Sequence, residues 1–245
     1  MNAIQLSQTN PARFRNTILC HLATDVIERL QLTAVALPVG RLMESSGHAI
    51  QNLFFVEEGV GSLTTAYQDG SEVEAAMFGY ESVIGVSALM GIKRSLNRIY
   101  MQMPGRGFSS PVAEARKEFD RGGEFHRLCL RYVQAQLTQL AQSVGCGLKH
   151  SVQQRLARML MISADRGHTE CIGFSQEFLA NMLGSRRTSV ALAAVHFRKK
   201  GLITYRRSDI RILDKDRLEH EACECYLVVK DHLDNYRDFD TGFVV

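Results

Sequence analysis

Glycine is spread unevenly along this chain, and that distribution limits the fold more than any other feature. Ten of the nineteen glycines in the 245 residues lie between positions 40 and 107. Between them stand short runs rich in β-branched and aromatic residues: "NLFFVEEG", "VGSLTTAYQDG", "SEVEAAMFG" and "NRIYMQMPG". Runs of this kind, interrupted about every ten residues, predict short antiparallel strands arranged as a sandwich or a barrel-like roll. Asp69-Gly70 predicts a tight hairpin turn whose two central residues both take positive φ. A short helical piece around Asp25 to Gln31 precedes the strands.

The pattern then changes from strands to helices. "PVAEARKEFDRG" reads as a short helix broken at Gly122-Gly123, and a longer helical pattern runs from Glu124 to about Val144. Phe125, Cys129, Tyr132, Leu137, Leu140 and Val144 recur at intervals of three to five residues, which predicts one apolar stripe. Arg127, Arg131, Gln134 and Thr138 occupy the other face. A helix of about 30 Å between two domains either buries its stripe within the chain or pairs with a second copy. Gly145 and Gly147 are expected to end it. Helix resumes in "HSVQQRLARMLMISADRG", and the C-terminal "DRLEHEACECYLVVKDHLDNY" is also helix-like.

The segment "SQEFLANMLGSRRTSVALAAVHFRKKGLI" carries the functional signal. Ser175 can cap a first helix whose inward residues are Phe178, Leu179, Met182 and Leu183. Gly184 supplies a tight turn, and Ser185 can cap a second helix that buries Val190, Ala193 or Ala194, and Phe197. Two short helices about a glycine turn form a helix-turn-helix, whose second helix enters the major groove of DNA N-terminus first. Arg187, Ala191 and Arg198 share an outward face, flanked by Arg186 and Ser189. Two arginines at a helix N-terminus are disfavoured by their own helix dipole, so an anionic partner is the physical reason to place them there. "LITYRRSDIRIL" then predicts a hairpin wing with Arg206-Arg207 near its tip, Ile203 and Tyr205 pairing with Ile210 and Ile212.

Charge agrees with that reading. The chain carries a net charge of only +3. Residues 175–215 hold nine Lys or Arg against three Asp or Glu, a local +6 that points to an anionic partner. Hydrophobic residues make up 45% of the chain, enough for a buried core, and no run of about 18 apolar residues is present. The N-terminus lacks a secretory pattern, so a cytoplasmic location is expected and no membrane partner. Among the six cysteines only Cys223 and Cys225 are close, and without a second pair no metal site is expected. No Ser/His/Asp spacing and no phosphate-loop glycine pattern suggests an enzyme.

The segment from Ser175 to Asp214 closely resembles the winged helix-turn-helix of Crp/Fnr-type bacterial transcription regulators, and the following "ACECY" matches a subgroup of them. The resemblance covers nearly the whole chain, more specifically in the C-terminal part than in the N-terminal part. It implies an α+β fold: an antiparallel β-roll of the cupin or jelly-roll-like kind over residues 1–122, a dimerisation helix over 123–147 and a winged helix-turn-helix over 148–245. The implied partners are double-stranded DNA at an inverted-repeat operator, a second copy of the chain, and RNA polymerase. The dimer would use Phe125, Cys129, Tyr132, Leu137, Leu140 and Val144.

By position, Arg187 matches the arginine that reads guanine, while Ser175, Ser189 and Arg206 match phosphate contacts. Arg186, Thr188 and Arg207 complete the candidate DNA-binding set. Thr188 stands where the family often has glutamate, and Leu192 where another member has arginine, so the best-known member's operator preference does not transfer. In the sensor half, Arg94 and Ser95 match the family's phosphate-holding pair and are the candidate ligand-binding residues. The ribose-holding glutamate is missing: ten residues before Arg94 stands Ile84, and Glu81 is out of register. No cofactor is expected: neither a cyclic nucleotide, nor a cluster on the solitary Cys20, nor a metal. A rival reading takes the chain as a small-ligand sensor whose winged domain contacts a protein partner.

Overall fold

A computed structural model describes residues 14–206 and 209–236. Helix α1 (Thr24–Arg29) leads into strands β1 (Thr33–Leu37), β2 (Leu42–Glu44), β3 (Asn52–Ala66), β4 (Glu72–Phe78), β5 (Val83–Ile84) and β6 (Arg98–Pro111). They form one six-stranded antiparallel sheet along the path β1-β6-β3-β4, with β2 also on β6 and β5 on β3. Next come α2 (Val112–Phe119), α3 (Glu124–Lys149) and α4 (Val152–Gly167). The chain ends with β7 (Cys171–Ile172), α5 (Gln176–Met182), α6 (Arg187–Lys199), β8 (Ile203–Arg206), β9 (Asp209–Ile212), α7 (Lys215–Glu221) and α8 (Cys225–Asn235). The fold is α+β: antiparallel sheet, long helix, then helix-turn-helix with a small sheet.

Two strand expectations change. "NLFFVEEG" and "VGSLTTAYQDG" form one strand of 15 residues, β3. Gly59, at φ +97°, absorbs the irregularity, and the register against β6 shifts between Val56 and Gly61. Gly105 faces the same point: a Cβ there would stand 1.8 Å from the Glu58 carbonyl oxygen. The β3–β4 hairpin falls where expected, but of its two central candidates only Gly70 has positive φ. The Tyr67 amide donates to the Ser71 carbonyl at 2.9 Å and Gly70 to the Tyr67 carbonyl at 3.0 Å. That is a three-residue loop ending in a glycine bulge. Asp69 contributes its carboxylate, which accepts from the Ser71 amide and hydroxyl.

The long helix also departs from expectation. It passes through Gly145 and Gly147 and ends at Lys149. Each glycine costs about 1 kcal/mol against alanine in a helix; Cys146 between them is buried at 1% exposure and anchors the last turns. The expected single stripe is two faces. From Tyr132 to Leu137 is five residues, a rotation of about 140° on a 3.6-residue helix. Phe125, Cys129 and Tyr132 are fully buried in the chain's own core, with Leu128 and Ala135. Leu137 and Val144 are 55% and 66% exposed and join Leu130 and Leu148 on the second face, with Leu140 half-buried at its edge. The first three are therefore closed to a second copy of the chain.

Seven residues, among them Val56, Phe78, Ile99 and Met101, form a small core on one side of the sheet. Leu53, Phe55, Val60 and Met77 belong to a second core that continues without a break through α3, α4 and the C-terminal helices. The seam between the two halves is well fastened. Arg166 on α4 donates through Nε to the Glu81 carboxylate at 2.8 Å, and both side chains are almost completely buried. The Tyr236 hydroxyl reaches the Glu81 carbonyl at 3.1 Å. At the other end, a Cβ on Gly184 would lie 3.2 Å from Val73 Cγ2 of β4.

Candidate nucleic-acid interface

The interface is built by capping and by a buried seam. The Ser175 hydroxyl accepts from the Phe178 amide at 3.0 Å and starts α5. Leu179, Met182 and Leu183 are buried, whereas Phe178 is half-buried with its ring 4.7 Å from that of Phe174. Gly184, at φ +56°, makes the turn. α6 then buries Val190, Ala193, Ala194 and Phe197 against α4 and α5.

One capping expectation is corrected. Ser185 does not cap α6; its hydroxyl donates back to the Leu183 carbonyl at 3.2 Å. Arg186 takes the N-cap position in an extended conformation, with no side-chain cap. The Ser189 amide donates to the Arg186 carbonyl at 3.0 Å, while the Arg187 and Thr188 amides, with no side-chain cap, face the end of α6 where an anion can reach them.

Arg186, Arg187 and Thr188 are exposed around this end, and Ser189 is half-buried. Ser175, half-buried, is engaged by its cap, and Leu192 stands 71% exposed one turn further along. The wing has the expected register: Ile203 opposite Ile212, Tyr205 opposite Ile210, Arg206 opposite Asp209. β7 adds a third strand on β9. Arg207 lies outside the described residues.

Ion pairing sorts the basic residues into two groups. Lys200 is held by Glu221 and Lys215 by Asp165, both at 2.5 Å. Arg186, Arg187, Arg198, Lys199 and Arg206 make no ion pair with any described residue. Within residues 175–215 the described cations without an ion pair stand on α6 and the wing.

The sensor pair is not assembled for a phosphate. The Arg94 guanidinium is exposed and donates to the Gly47 carbonyl at 2.8 Å. The Ser95 hydroxyl is buried and donates to the Glu44 carboxylate, which also accepts from the Gly85 amide at 2.8 Å. A carboxylate beside Ser95 would repel a phosphate. A cavity of about 250 Å³ lies here, lined by Glu44, His48, Phe54 and Ser95 among others. Glu81, the out-of-register acid, is occupied by Arg166.

Sequence reasoning missed one constellation. Cys146, His150, Cys223 and Cys225 bring their ligand atoms within 4.8 Å of one another, against the expectation of no metal site. Cys146 and His150, the C-cap of α3, are four apart in sequence, a spacing that could have flagged them beside the Cys-x-Cys.

Residues 154–221, which span α4 to α7, match the Crp-like helix-turn-helix domain. The chain therefore carries a Crp-like helix-turn-helix domain. This match and the curated relatives support a DNA-binding, non-enzymatic transcription regulator of the Crp/Fnr type. Among curated relatives, the global nitrogen regulator of Nostoc sp. is 24% identical over 177 residues, covering 68% of this chain and 78% of the relative. The global nitrogen regulator of Synechococcus elongatus is 22% identical over 185 residues, covering 71% and 83%. Among solved structures, a Crp/Fnr-family transcriptional regulator from Eubacterium rectale has the same fold. Its TM-score is 0.66 at 18% identity, covering 84% of this chain and 97% of that one. FixK2 from Bradyrhizobium japonicum also reaches 0.66, at 13% identity, covering 78% and 98%. No helix among the described residues is long and apolar enough to cross a membrane.

Proposed function

We propose that the regulator binds an inverted-repeat operator as a homodimer and that Arg187 reads a base within it. The observation that carries this is the open N-terminus of α6: exposed, unpaired arginines around uncapped amides, at the end of the helix that enters the major groove. A guanidinium there donates two hydrogen bonds to a guanine edge. Arg186, Ser189 and the Ser175 turn are the phosphate contacts of the same half-site, Thr188 is a second groove-facing side chain, and Arg206 with Arg207 holds the flanking backbone.

The exposed α3 face supports the dimer. Leu130, Leu137 and Val144 are seven residues apart, the repeat of a two-stranded helical seam, and Leu148 extends it. This set replaces the buried Phe125, Cys129 and Tyr132. Two recognition helices so held would sit about 34 Å apart, one turn of DNA. RNA polymerase is the protein partner this reading implies. Arg94 and Ser95, engaged as they are, argue against a cyclic nucleotide as effector.

Selection of binding sites from random DNA tests the reading. An enriched palindrome is the expected result. No enrichment, with the protein folded, would favour the rival in which the winged domain contacts a protein.

A further inference from the structure

We propose that Cys146, His150, Cys223 and Cys225 form a closed tetrahedral site for one zinc-class divalent ion, clipping the end of α3 to the start of α8. The four residues come from two places far apart in sequence. Cys146 lies in the last turn of α3 and His150 is the residue that caps it, its amide donating to the Cys146 carbonyl at 3.1 Å; Cys223 and Cys225 bracket Glu224, the residue that opens α8. The three cysteines are buried at 1–4% exposure as an isolated cluster of their own.

The spacing fits one ion. Zinc–sulfur bonds of about 2.3 Å and zinc–nitrogen bonds of about 2.0 Å in a tetrahedron put neighbouring ligand atoms about 3.5 to 3.8 Å apart. Cys146 Sγ and Cys223 Sγ are 3.5 Å apart, and so are Cys225 Sγ and His150 Nδ1; the full set spans no more than 4.8 Å. Contraction by about 1 Å at the widest pair completes the polyhedron. A disulfide between Cys146 and Cys223 would need the sulfurs at about 2.05 Å and would leave Cys225 and His150 without a role.

The surroundings also suit a metal. His150 presents Nδ1 to the cluster, and its Nε2 lies 3.2 Å from the Glu224 carboxylate. That is the outer carboxylate that fixes the ring and tautomer of a metal-bound histidine. The Gln142 amide donates to Cys225 Sγ at 3.1 Å, a contact that a thiolate strengthens. Four protein ligands leave no open position, so the role is structural, not catalytic. Binding balances as three thiols plus one Zn²⁺ giving three thiolates on the ion and three protons released to solvent.

The test uses the full-length protein, purified without chelator. The expected result is one zinc per chain by elemental analysis. Replacement by Co²⁺ should give the intense visible bands of tetrahedral thiolate coordination together with thiolate-to-cobalt charge transfer. Glu224→Gln should weaken zinc binding about 10- to 100-fold in competition with a chromophoric chelator, and Cys171→Ser should leave it unchanged. His150→Cys should keep the ion and raise the charge-transfer intensity. The wild-type cobalt spectrum decides the matter even where a ligand variant does not fold. A folded wild-type chain that takes up neither zinc nor cobalt overturns the proposal. So does a metal-free chain in which Cys146 and Cys223 are found joined as a disulfide.

Discussion

Glu81→Gln should destabilise the protein more than any conservative change on its surface. In the wild type the Glu81 carboxylate takes Nε of Arg166 at 2.8 Å, the Gly79 amide at 3.0 Å and the Ser82 hydroxyl at 3.0 Å. Exposure is 1% for Glu81 and 6% for Arg166. The amide keeps the shape but removes the charge, leaving a guanidinium buried without a counter-ion. Breaking a buried pair from one side costs about 3–5 kcal/mol. In a chain of this size each kcal/mol lowers the melting temperature by about 2–4 °C, so a drop of about 6–20 °C is expected. Arg166→Met should cost less, because the carboxylate keeps its two neutral donors, the Gly79 amide and the Ser82 hydroxyl. In the double variant neither charge remains, and the two losses should fall short of adding by about 1–3 kcal/mol. The chain has no tryptophan, so far-ultraviolet circular dichroism is the suitable probe, by heat and by urea. Single-variant losses below about 1 kcal/mol, or strict additivity in the cycle, would refute the reasoning.

Four other expectations can be checked directly. Arg187→Ala should lose about 1–3 kcal/mol of discrimination at one base position of the selected operator, measured by fluorescence anisotropy against single-base variants. Arg206→Ala should weaken binding evenly across sequences and lower the slope of affinity against salt by about one. Leu137→Asp with Val144→Asp places charge on the exposed α3 face and should give a monomer by analytical ultracentrifugation at micromolar concentration; an unchanged sedimentation coefficient would sink the seam. Burial pushes the Glu74 carboxyl up from 4.5 to about 7. The folded chain therefore holds that proton more tightly than the unfolded chain, so stability falls as pH rises from about 4.5 through 7 and is flat above. Glu74→Gln should remove that slope, which amounts to no more than about 3 kcal/mol.

How much was legible in the sequence depended on how local the signal was. The helix-turn-helix was readable because its determinants sit side by side: Ser175, Gly184, and the Val190–Phe197 spacing all act within a few residues. The wing register followed from strict alternation in Ile203, Tyr205, Ile210 and Ile212. The strands were found, but not their joining into β3, because nothing local says that Gly59 will bulge and continue rather than turn. The α3 stripe failed for a similar reason. Counting apolar residues at mixed intervals hides the rotation at Tyr132–Leu137, and which face is covered depends on the sheet and α8 packed against it. The cap at Ser185 was lost to competition from the Leu183 carbonyl. The thiol cluster needed the α3–α8 packing to bring positions 146 and 223 together.

The unbroken core across the seam makes the regulator less modular than its sequence suggests. α4 belongs to the DNA-binding half, yet Arg166 is buried against Glu81, and Gly79 is close enough that a Cβ there would lie 2.7 Å from the Arg166 side chain. A fragment cut after α3 would expose that arginine and the apolar side of α4 together. Grafting this winged half onto another sensor would need β4 and the Gly79–Glu81 turn to travel with it. Exchange between relatives must then proceed by whole chains or by matched changes on both sides of the seam, and reporter fusions built on the C-terminal half alone are poor proxies for the intact protein.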